Sequence, residues 1–400
     1  MRIVFLSESF AKNMGYLGNI LPRYLEELGA DVHLITGDLA PYHQIENFAA
    51  TYGAFSGAAV SAPGTVERVN GFTVHTLAHQ RLLGYVRLRG LLPKLKSLRP
   101  DIVQIHSTIG WLPLEAALLR PILGYKLFTG NHTTASVFPL AQRASSLWEP
   151  ERLRSVLTRA VPGRIVSQFA ERCYAPTADC ARVARDFFGV PQRLLDYLPL
   201  GVDTEAFRPR AGVEDERRRE VRRAEIGVEP DEILCIYTGR FADDKNPLVL
   251  ARAVEELRAA GLRFRAVFVG NGVQGDALAA CDGCVVHPFV PYQELPAWFH
   301  AADIGVWPTQ ESTSMLDAAA SGLPIIVNDT LVATERIDGN GLTYHLNDSH
   351  DLARVLRTLV PEDERRRLGA TGARRMAELF GWGALAKRRL HDYQLTLDRA

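Results

Sequence analysis

Two basic side chains, Arg240 and Lys245, follow a short apolar run at residues 233–237. The run has the length and composition of a buried strand, and Gly239 marks a turn directly after it. Two cations five residues apart, just before a helical pattern, can bind a diphosphate. Guanidinium and ammonium groups bind phosphate oxygens, and a helix N-terminus itself favours anions. The segment therefore predicts a diphosphate-binding loop at the end of a strand.

A second polar cluster begins at Glu311, after another strand-like run. Ser312 or Thr313 can cap a helix whose alanine-rich body stops at Gly322. The free N–H groups at the start of that helix can hold a phosphate, while Glu311 and Asp317 accept sugar and ribose hydroxyls. A carboxylate at a helix start can also do no more than complement the helix dipole. The predicted nucleotide-binding residues of this cluster are Ser312, Thr313, Ser314, Met315 and Asp317.

A glycine-rich segment, residues 270–275, matches GxGxxG and follows a strand-like run. A dinucleotide fingerprint also needs an acidic residue at the end of the next strand. That strand ends in His287-Pro288-Phe289-Val290 without a carboxylate, which disfavours NAD. We expect instead a wall where backbone approaches a nucleotide; a simple tight turn is the alternative. The predicted contacts here are Gly270, Asn271, Gly272 and Val290.

The composition bounds the class of protein. The chain has 400 residues, more than one hydrophobic core usually serves. Basic and acidic residues both number 46, and this balance argues against a dedicated nucleic-acid binder. Five unevenly spaced cysteines favour a reducing compartment, and we interpret the CxxC at residues 281–284 as two incidental thiols. With no signal-peptide pattern and no apolar stretch of about 18 residues, we expect a cytoplasmic protein.

Short apolar runs alternate with amphipathic helical patterns along the chain, which predicts βαβ units and parallel sheets. A shift in composition near residue 200, followed by a charged run at 214–225, divides the chain into two α/β domains with a cleft between them. We interpret the charged run as a solvated helix face. The predicted strands are 3–6, 32–36, 72–77, 101–106, 126–128, 172–176, 233–237, 265–269, 284–287, 304–307 and 324–327, and the predicted helices include 20–28, 82–98, 141–164 and 382–398.

Several short motifs occur in a fixed order along the chain. They are Leu200-Gly201-Val202-Asp203 with Phe207 and Pro209, then Arg240 and Lys245, Gly270-Asn271-Gly272, Ala302-Asp303 with Pro308, and Gly322-x-Pro324. In this order and spacing the chain resembles the retaining family 4 glycosyltransferases of the GT-B fold, over nearly its whole length. The resemblance implies two Rossmann-like domains, 1–203 for the acceptor and 204–375 for the nucleotide sugar. It also implies that a helix in 376–400 packs back on the first domain.

The resemblance also implies roles for single residues. Arg240 and Lys245 would stabilise the departing diphosphate, and His132, in a loop similar to the family's histidine loop, would lie beside the reacting sugar. The family's acidic motif is usually Glu-x7-Glu; here Asp317 takes the second place, at the ribose, and Glu311 stands six residues before it. Gly15 partly matches the family's N-terminal glycine pair.

The same resemblance implies transfer of a sugar from a UDP- or GDP-sugar to an acceptor hydroxyl of a glycan, a lipid-linked glycan or a small molecule. The chain has no Asp-x-Asp, the pair that holds a divalent metal in the other large glycosyltransferase architecture, so we expect no metal and no bound cofactor. The family often works at membranes, and the basic segment 82–98 could touch an anionic surface at the inner face. We favour a surface helix with its apolar side in the core.

Two other functions stay open at this point. Sugar-nucleotide epimerases of the same architecture also bind a nucleotide diphosphate, but they convert the donor without an acceptor. A non-catalytic partner subunit is the other alternative. It stays open because the spacing between Glu311 and Asp317 is shorter than in the family's usual acidic motif. His106 is a poorer catalytic candidate than His132, and we interpret His75 and His79 as non-ligands.

Overall fold

The computed structural model describes residues 1–45, 47–53, 55, 59–82, 84–142, 148–309 and 312–399. The chain divides into two compact units. Unit 1 comprises Met1–Pro41, Ala59–Leu200 and Gly383–Ala400, and unit 2 comprises Tyr42–Ala58 and Gly201–Trp382. The segment Tyr42–Ala58 thus belongs to unit 2, although it lies inside the range 1–203 that the sequence analysis assigned to the first domain.

Unit 1 contains an eight-stranded sheet in the order β10-β9-β8-β7-β1-β2-β4-β3, in which only the β3–β4 pair is antiparallel. A separate antiparallel hairpin pairs β5 with β6. The strands are β1 (Arg2–Leu6), β2 (Asp31–Gly37), β3 (Val66–Val69), β4 (Phe72–Leu77), β5 (His79–Leu82), β6 (Tyr85–Leu88), β7 (Ile102–Ile105), β8 (Lys126–Gly130), β9 (Ala170–Ala175) and β10 (Leu195–Tyr197).

Unit 2 contains a six-stranded sheet in the order β13-β12-β11-β14-β15-β16, and every pair in it is parallel. Its strands are β11 (Ile233–Thr238), β12 (Phe264–Val269), β13 (Cys284–His287), β14 (Ile304–Trp307), β15 (Ile325–Asn328) and β16 (Gly341–Tyr344). Most of these strands are buried on both faces, which is why they are continuous apolar runs in the sequence.

The helices of the described chain flank these sheets, as parallel strands require for their crossover connections. They are α1 (Leu17–Glu27), α2 (Leu91–Leu98), α3 (Trp111–Leu123), α4 (Pro150–Ser155), α5 (Val161–Phe169), α6 (Ala178–Phe187), α7 (Gly212–Glu225), α8 (Leu248–Ala259), α9 (Gly275–Ala279), α10 (Leu295–Ala301), α11 (Ser314–Ala320), α12 (Ser349–Thr358), α13 (Glu362–Arg375) and α14 (Trp382–Asp398). None of the described helices is long and apolar enough to cross a membrane.

The predicted helix 82–98 is wrong over its first half. Residues His79–Leu82 and Tyr85–Leu88 form the β5–β6 hairpin, and only Leu91–Leu98 is helical. Gly84 and Gly90 have φ values of 83° and 82°, which β-branched and bulky residues rarely adopt, so they end the two strands. The proposed amphipathic docking surface therefore does not exist as one continuous helix.

The charged run at 214–225 forms α7, as predicted, but one face of this helix is exposed and the other is buried. Arg217 and Arg218 pair with Glu214 on the exposed side. Arg223 is 4% exposed, and with Arg219 it binds the carboxylate of Asp303 just before β14. This buried ion-pair network fixes α7 against the sheet of unit 2.

Helix α14 packs on unit 1, with which its residues from Gly383 onward are grouped. The ring of Tyr393 stands edge-on to Phe128 of β8 at 4.7 Å, and its hydroxyl donates to Gln104 of β7 at 2.8 Å. The hydroxyl of Tyr174 in β9 donates to Asp392 at 2.9 Å. Apolar and polar contacts together therefore anchor the helix on three neighbouring strands.

Candidate functional site

The strand order of unit 2 reverses beside β11. From β11 the chain proceeds to β12 and β13 on one side, then returns to place β14 on the other side. In open parallel sheets, ligands bind outside the carboxyl ends of the strands at such a switch point. The loop with Arg240 and Lys245 follows β11, and the loop with Ser312–Ser314 follows β14, so the two predicted clusters flank this point.

The two loops are joined by hydrogen bonds to one carbonyl group. The Thr238 carbonyl at the end of β11 accepts from the indole N–H of Trp307 at 3.3 Å and from the Ser314 hydroxyl at 3.4 Å. On the far side, Asn328 Nδ2 donates to the carbonyls of Pro308 and Thr309 at 3.0 and 2.7 Å. The edge is therefore held in place by the protein itself.

Arg240 is half-buried and paired. Its Nη2 binds Asp244 Oδ2 at 2.5 Å, and its carbonyl accepts from the Tyr237 hydroxyl at 2.8 Å. Burial opposes the charge, but the hydrogen bond to Asp244, with smaller contributions from Tyr52 and Tyr237, brings the pKa of Arg240 above its usual value. The guanidinium is thus always charged, and an anion that binds at Nη2 competes with Asp244.

Lys245 lies one turn ahead of α8, in a tight loop. Its backbone N–H and that of Asn246 both donate to the Ala242 carbonyl, at 2.9 and 2.8 Å. Asn246 has a φ of 42°, and its amide binds Asn347 at 3.0 Å. The lysine is half-buried. Loop geometry therefore places both predicted cations at the carboxyl end of β11.

Gly270 and Gly272 are required by the protein's own backbone. A Cβ on Gly270 would overlap the carbonyl oxygen of Gly239, and one on Gly272, whose φ is 152°, would overlap that of Phe241. The Phe241 amide donates to the Asn271 carbonyl at 2.9 Å. These glycines let the loops after β11 and β12 touch each other, so a role against a nucleotide stays a prediction. Val290 is 9% exposed, which leaves its backbone rather than its side chain for a ligand.

An aromatic segment that the sequence analysis did not single out lies on the same edge. We call Tyr42, Phe48, Tyr52 and Phe55 the aromatic arm. The Tyr52 ring stacks between Tyr42 and Phe289, with centroids 5.1 and 5.2 Å away. Asn271 Nδ2 donates to the Thr51 carbonyl at 3.4 Å. The four aromatic residues within 14 positions were a visible signal, but their partner is more than 200 residues away.

The loop after β14 is only partly described. Glu311, the predicted partner of the donor sugar, lies outside the described residues together with Gln310. Helix α11 begins at Ser314, and Thr313 makes no capping hydrogen bond with its side chain. The Ser312 hydroxyl instead accepts from the Ser314 amide at 3.4 Å and contacts the Ser314 hydroxyl at 2.8 Å. Met315 is 1% exposed, its sulfur facing the Ser312 amide at 3.5 Å.

Asp317 is more enclosed than expected. It is 6% exposed, and its partner, the Tyr292 hydroxyl, is 3.5 Å away. Burial, with a smaller contribution from Asp203, raises the pKa of Asp317 well above its ordinary value, although the Tyr292 hydrogen bond opposes the shift. Burial thus favours the neutral form of this carboxyl group over its charged form, and the neutral form both donates and accepts a hydrogen bond.

Unit 1 has its own switch point, between β1 and β7. His106 follows β7, and His132 follows β8. Their rings are perpendicular, with centroids 5.9 Å apart. Burial, assisted by the charge of Arg389 on α14, lowers the pKa of His132 to about 4. His132 is therefore neutral at physiological pH, and His106, which the sequence analysis ranked lower, lies beside it.

Two further residues border the same edge of unit 1. Glu8 follows β1, and burial raises the pKa of its carboxyl group. Gly15 lies in the loop before α1, which the Asn19 amide anchors by donating to the Ala11 carbonyl at 2.9 Å. Sequence reasoning missed Glu8, because an isolated carboxylate after a strand carries no specific signal.

Comparison with known proteins gives both units a family. Residues 21–206 match the profile described as Glycosyltransferase Family 4, and residues 232–362 match the one described as Glycosyl transferases group 1. The chain is 30% identical over 318 residues to the D-inositol 3-phosphate glycosyltransferase of Thermomonospora curvata, covering 73% of this chain and 71% of that protein. The chain belongs to the family 4 glycosyltransferases.

Other relatives of this glycosyltransferase agree. The protein of the same name from Nocardia farcinica is 29% identical over 322 residues, which cover 74% of this chain and 67% of that one. Among solved structures, sucrose-phosphate synthase from Thermosynechococcus elongatus has a TM-score of 0.71 at 18% identity, with full coverage of both chains. Anabaena HepE in complex with UDP and glucose has a TM-score of 0.69 at 13% identity, covering 98% of this chain and 99% of that one. The predicted GT-B fold and the predicted family are confirmed.

Proposed function

We propose that this glycosyltransferase moves a sugar from a UDP- or GDP-sugar to an acceptor hydroxyl, with retention at the anomeric carbon and without a metal ion. The observation that carries the proposal is the arrangement of unit 2. Arg240 and Lys245 follow β11 and the Ser312–Ser314 loop follows β14, on either side of the switch point of a parallel sheet, and Ser314 donates to the Thr238 carbonyl at the end of β11. This is where a nucleotide diphosphate binds in open α/β sheets.

Oxygens of the leaving diphosphate would replace the Asp244 carboxylate as the partner of Arg240. A half-exposed ion pair contributes only about 0–1 kcal/mol, whereas a diphosphate brings more charge and several acceptors. Lys245 would provide the second cation. Together they would supply preorganised charge as the glycosidic bond to the diphosphate breaks, a role that metal ions fill in other enzymes. Metal independence rests on this pair.

Asp317 would hold the ribose of the donor. Within the described residues its buried carboxyl group is bonded to the Tyr292 hydroxyl at 3.5 Å, and a ribose hydroxyl pair would add to its hydrogen bonds. Glu311 would orient the sugar itself. In unit 1, His132 would offer a neutral imidazole to the reacting sugar, because its pKa of about 4 keeps it uncharged above pH 5.

The test has two stages. Thermal shift with UDP, GDP and ADP comes first, because a nucleotide at about 100 times its Kd adds roughly 2.7 kcal/mol of stability. The matching sugar nucleotide is then incubated with candidate acceptors, a phosphorylated polyol among them, since the relatives are named for inositol phosphate. NMR of the product reports the anomeric configuration, and EDTA tests metal independence.

Three results would contradict the proposal. Conversion of the donor sugar without any acceptor would indicate an epimerase. Nucleotide binding without turnover would favour a non-catalytic subunit. Loss of activity in EDTA, restored by a divalent cation, would overturn the metal-independent mechanism.

A further inference from the structure

Unit 1 buries a positive charge, Arg389, that forms no ion pair with the described residues. Arg389 of α14 is 2% exposed, and its guanidinium lies 4.1 Å from the centroid of the Tyr174 ring. Its Nε and Nη1 atoms have no hydrogen-bond partner among the described residues. The nearest acid on the helix, Asp392, is already bound by the Tyr174 hydroxyl at 2.9 Å and faces Arg172 at 3.5 Å.

Two histidines beside this charge are also unsatisfied. Both ring nitrogens of His106 and the Nε2 of His132 are buried and lack partners within the described chain. Burial and the charge of Arg389 together lower the pKa of both imidazoles. Each neutral ring keeps one N–H donor, whose position depends on the tautomer.

Such a group of donors is costly unless something binds it. Buried polar groups are nearly always hydrogen-bonded, and buried charges are normally paired. The π face of Tyr174 and a hydrogen-bond contact with the Tyr393 hydroxyl offset only part of the cost, since a cation–π contact is worth roughly 0.5–2 kcal/mol. The Arg389 guanidinium and the two imidazoles near it are complementary to an acidic group, because all of them can donate hydrogen bonds.

We infer that Arg389, His106 and His132 form an anion-binding site in unit 1, which receives a phosphate or carboxylate group of the acceptor. The assignment to the acceptor rests on the proposed function; the anion site itself rests on the geometry. The ring nitrogens facing the site are buried, so His106 and His132 must turn aside before an anion reaches Arg389, which α14 covers from the other side.

The neighbouring residue provides a matched control. Arg388 is on the same helix, but its side chain is 48% exposed and binds Asp196 at 2.7 Å. Arg389→Met and Arg388→Met remove the same charge from adjacent positions. Arg389→Met should keep the fold, because replacing an unpaired buried charge with an apolar side chain of similar length removes a desolvation cost. Arg389→Lys keeps the charge without the planar fork.

The first measurement uses inorganic phosphate, titrated by isothermal calorimetry and by thermal shift in the presence of saturating UDP. We expect phosphate to bind the wild type and Arg388→Met equally. Arg389→Met should raise the Kd at least tenfold with an unchanged Kd for UDP, and Arg389→Lys should lie between. Three outcomes would overturn the site: no phosphate binding to the wild type, equal binding by Arg389→Met, or competition between phosphate and UDP.

The second measurement tests the acceptor. A phosphorylated polyol and its unphosphorylated parent are compared as acceptors at saturating donor. Arg389→Met should lower kcat/KM for the phosphorylated acceptor at least tenfold more than for the parent; an equal loss for both would refute the acceptor assignment. If UDP fails to bind the wild type, the proposed function falls, while the phosphate titration still decides on the site.

Discussion

The polar groups at the carboxyl edges of the two sheets differ in how far they are hydrogen-bonded to other protein groups. In unit 2, the Arg240–Asp244 pair, the Thr238 carbonyl and the Asn328 amide are all satisfied by protein groups before any ligand arrives. In unit 1, Arg389, His106 and His132 keep buried nitrogens that have no partner among the described residues. The first edge is a largely paired frame, in which the hydroxyls of Thr238 and Thr309 are the exceptions within the described chain, whereas the second edge keeps a buried guanidinium without an ion pair there.

This difference separates two ways of preparing a site. Polar groups that are already paired within the protein carry little desolvation cost in the folded chain, but they must exchange partners when the ligand binds. An incomplete cluster carries a desolvation cost in the free chain and recovers it on binding. We therefore expect substitutions in unit 2 to affect the frame or the chemistry, and removal of the unpaired charge in unit 1 to affect binding alone.

The largest expected effect breaks the frame of unit 2. Gly270→Ala places a Cβ on the carbonyl oxygen of Gly239, and backbone cannot yield as a flexible side chain does. We expect a loss of roughly 3 kcal/mol in the free energy of unfolding, at the upper end for overpacking, measured by urea denaturation. In Gly275→Ala the nearest atom to the new Cβ is 3.8 Å away, so its stability should be unchanged or slightly higher. Equal stability of both variants would remove the frame argument.

Next in size is loss of the charged groups at that edge. Arg240→Ala and Lys245→Ala should each lower kcat by on the order of 10²-fold, because preorganised charge on the leaving group contributes most when the bond breaks. Arg263→Ala is the control, since that side chain is 56% exposed and pairs with Asp231 at the surface. Steady-state kinetics measure this effect. A near-normal kcat in both variants would contradict the role of the two cations in stabilising the leaving diphosphate.

Asp317 is the exception within unit 2, so its variant sharpens the comparison. Because its folded pKa is raised above 3.8, the folded chain holds the proton more tightly than the unfolded chain does, and stability falls as the pH rises above that value. Asp317→Asn removes this loss. Its Tm should exceed that of the wild type by a few degrees at pH 7, with the difference shrinking towards pH 4.

Asp317→Asn should also weaken donor binding. A higher Tm together with weaker donor binding would show that the Asp317 carboxyl group is buried for binding the donor and not for packing. Asp231→Asn, at a side chain that is 65% exposed, should change neither Tm nor the donor Kd. A lower Tm for Asp317→Asn at pH 7 would show that the carboxylate is stabilising, contrary to the direction of its pKa shift.

The smallest effect concerns the partner exchange itself. Asp244→Asn removes the carboxylate that competes for Arg240, so the Kd for UDP should fall by about two- to fivefold, the worth of a half-exposed ion pair. Asp276→Asn, on the exposed first turn of α9, is the control. Weaker UDP binding by Asp244→Asn would mean that Asp244 positions Arg240 rather than competing for it.

The sequence could predict what short-range patterns determine. The buried strand β14 and the half-buried strand β13 have the predicted bounds, and α14 coincides with the predicted 382–398. The β5–β6 hairpin was missed because the leucines around it also fit a helical period, and the turn at Gly84 was given too little weight.

Long-range partners could not be predicted in the same way. Arg389 reaches the histidine loops from a helix more than 250 residues later in the chain, and Tyr52 stacks on Phe289 across a similar separation. No local pattern records such pairs. The burial of Asp317 was missed for a related reason. The local sequence predicts an exposed helix N-terminus there, whereas Asp203 and Tyr292, which are distant in sequence, lie next to the carboxyl group.

The division of the chain has a consequence for synthesis. Unit 1 is assembled from three separate stretches, and the last of them, Gly383–Ala400, follows all of unit 2. The ribosome therefore makes the whole second unit while Tyr174 and Gln104 still lack Asp392 and Tyr393. Unit 2 can fold during translation, whereas unit 1 must wait, exposing the β8 and β9 surfaces that α14 later covers. A ribosome-bound chain stopped before residue 383 should bind nucleotide yet aggregate through its first unit.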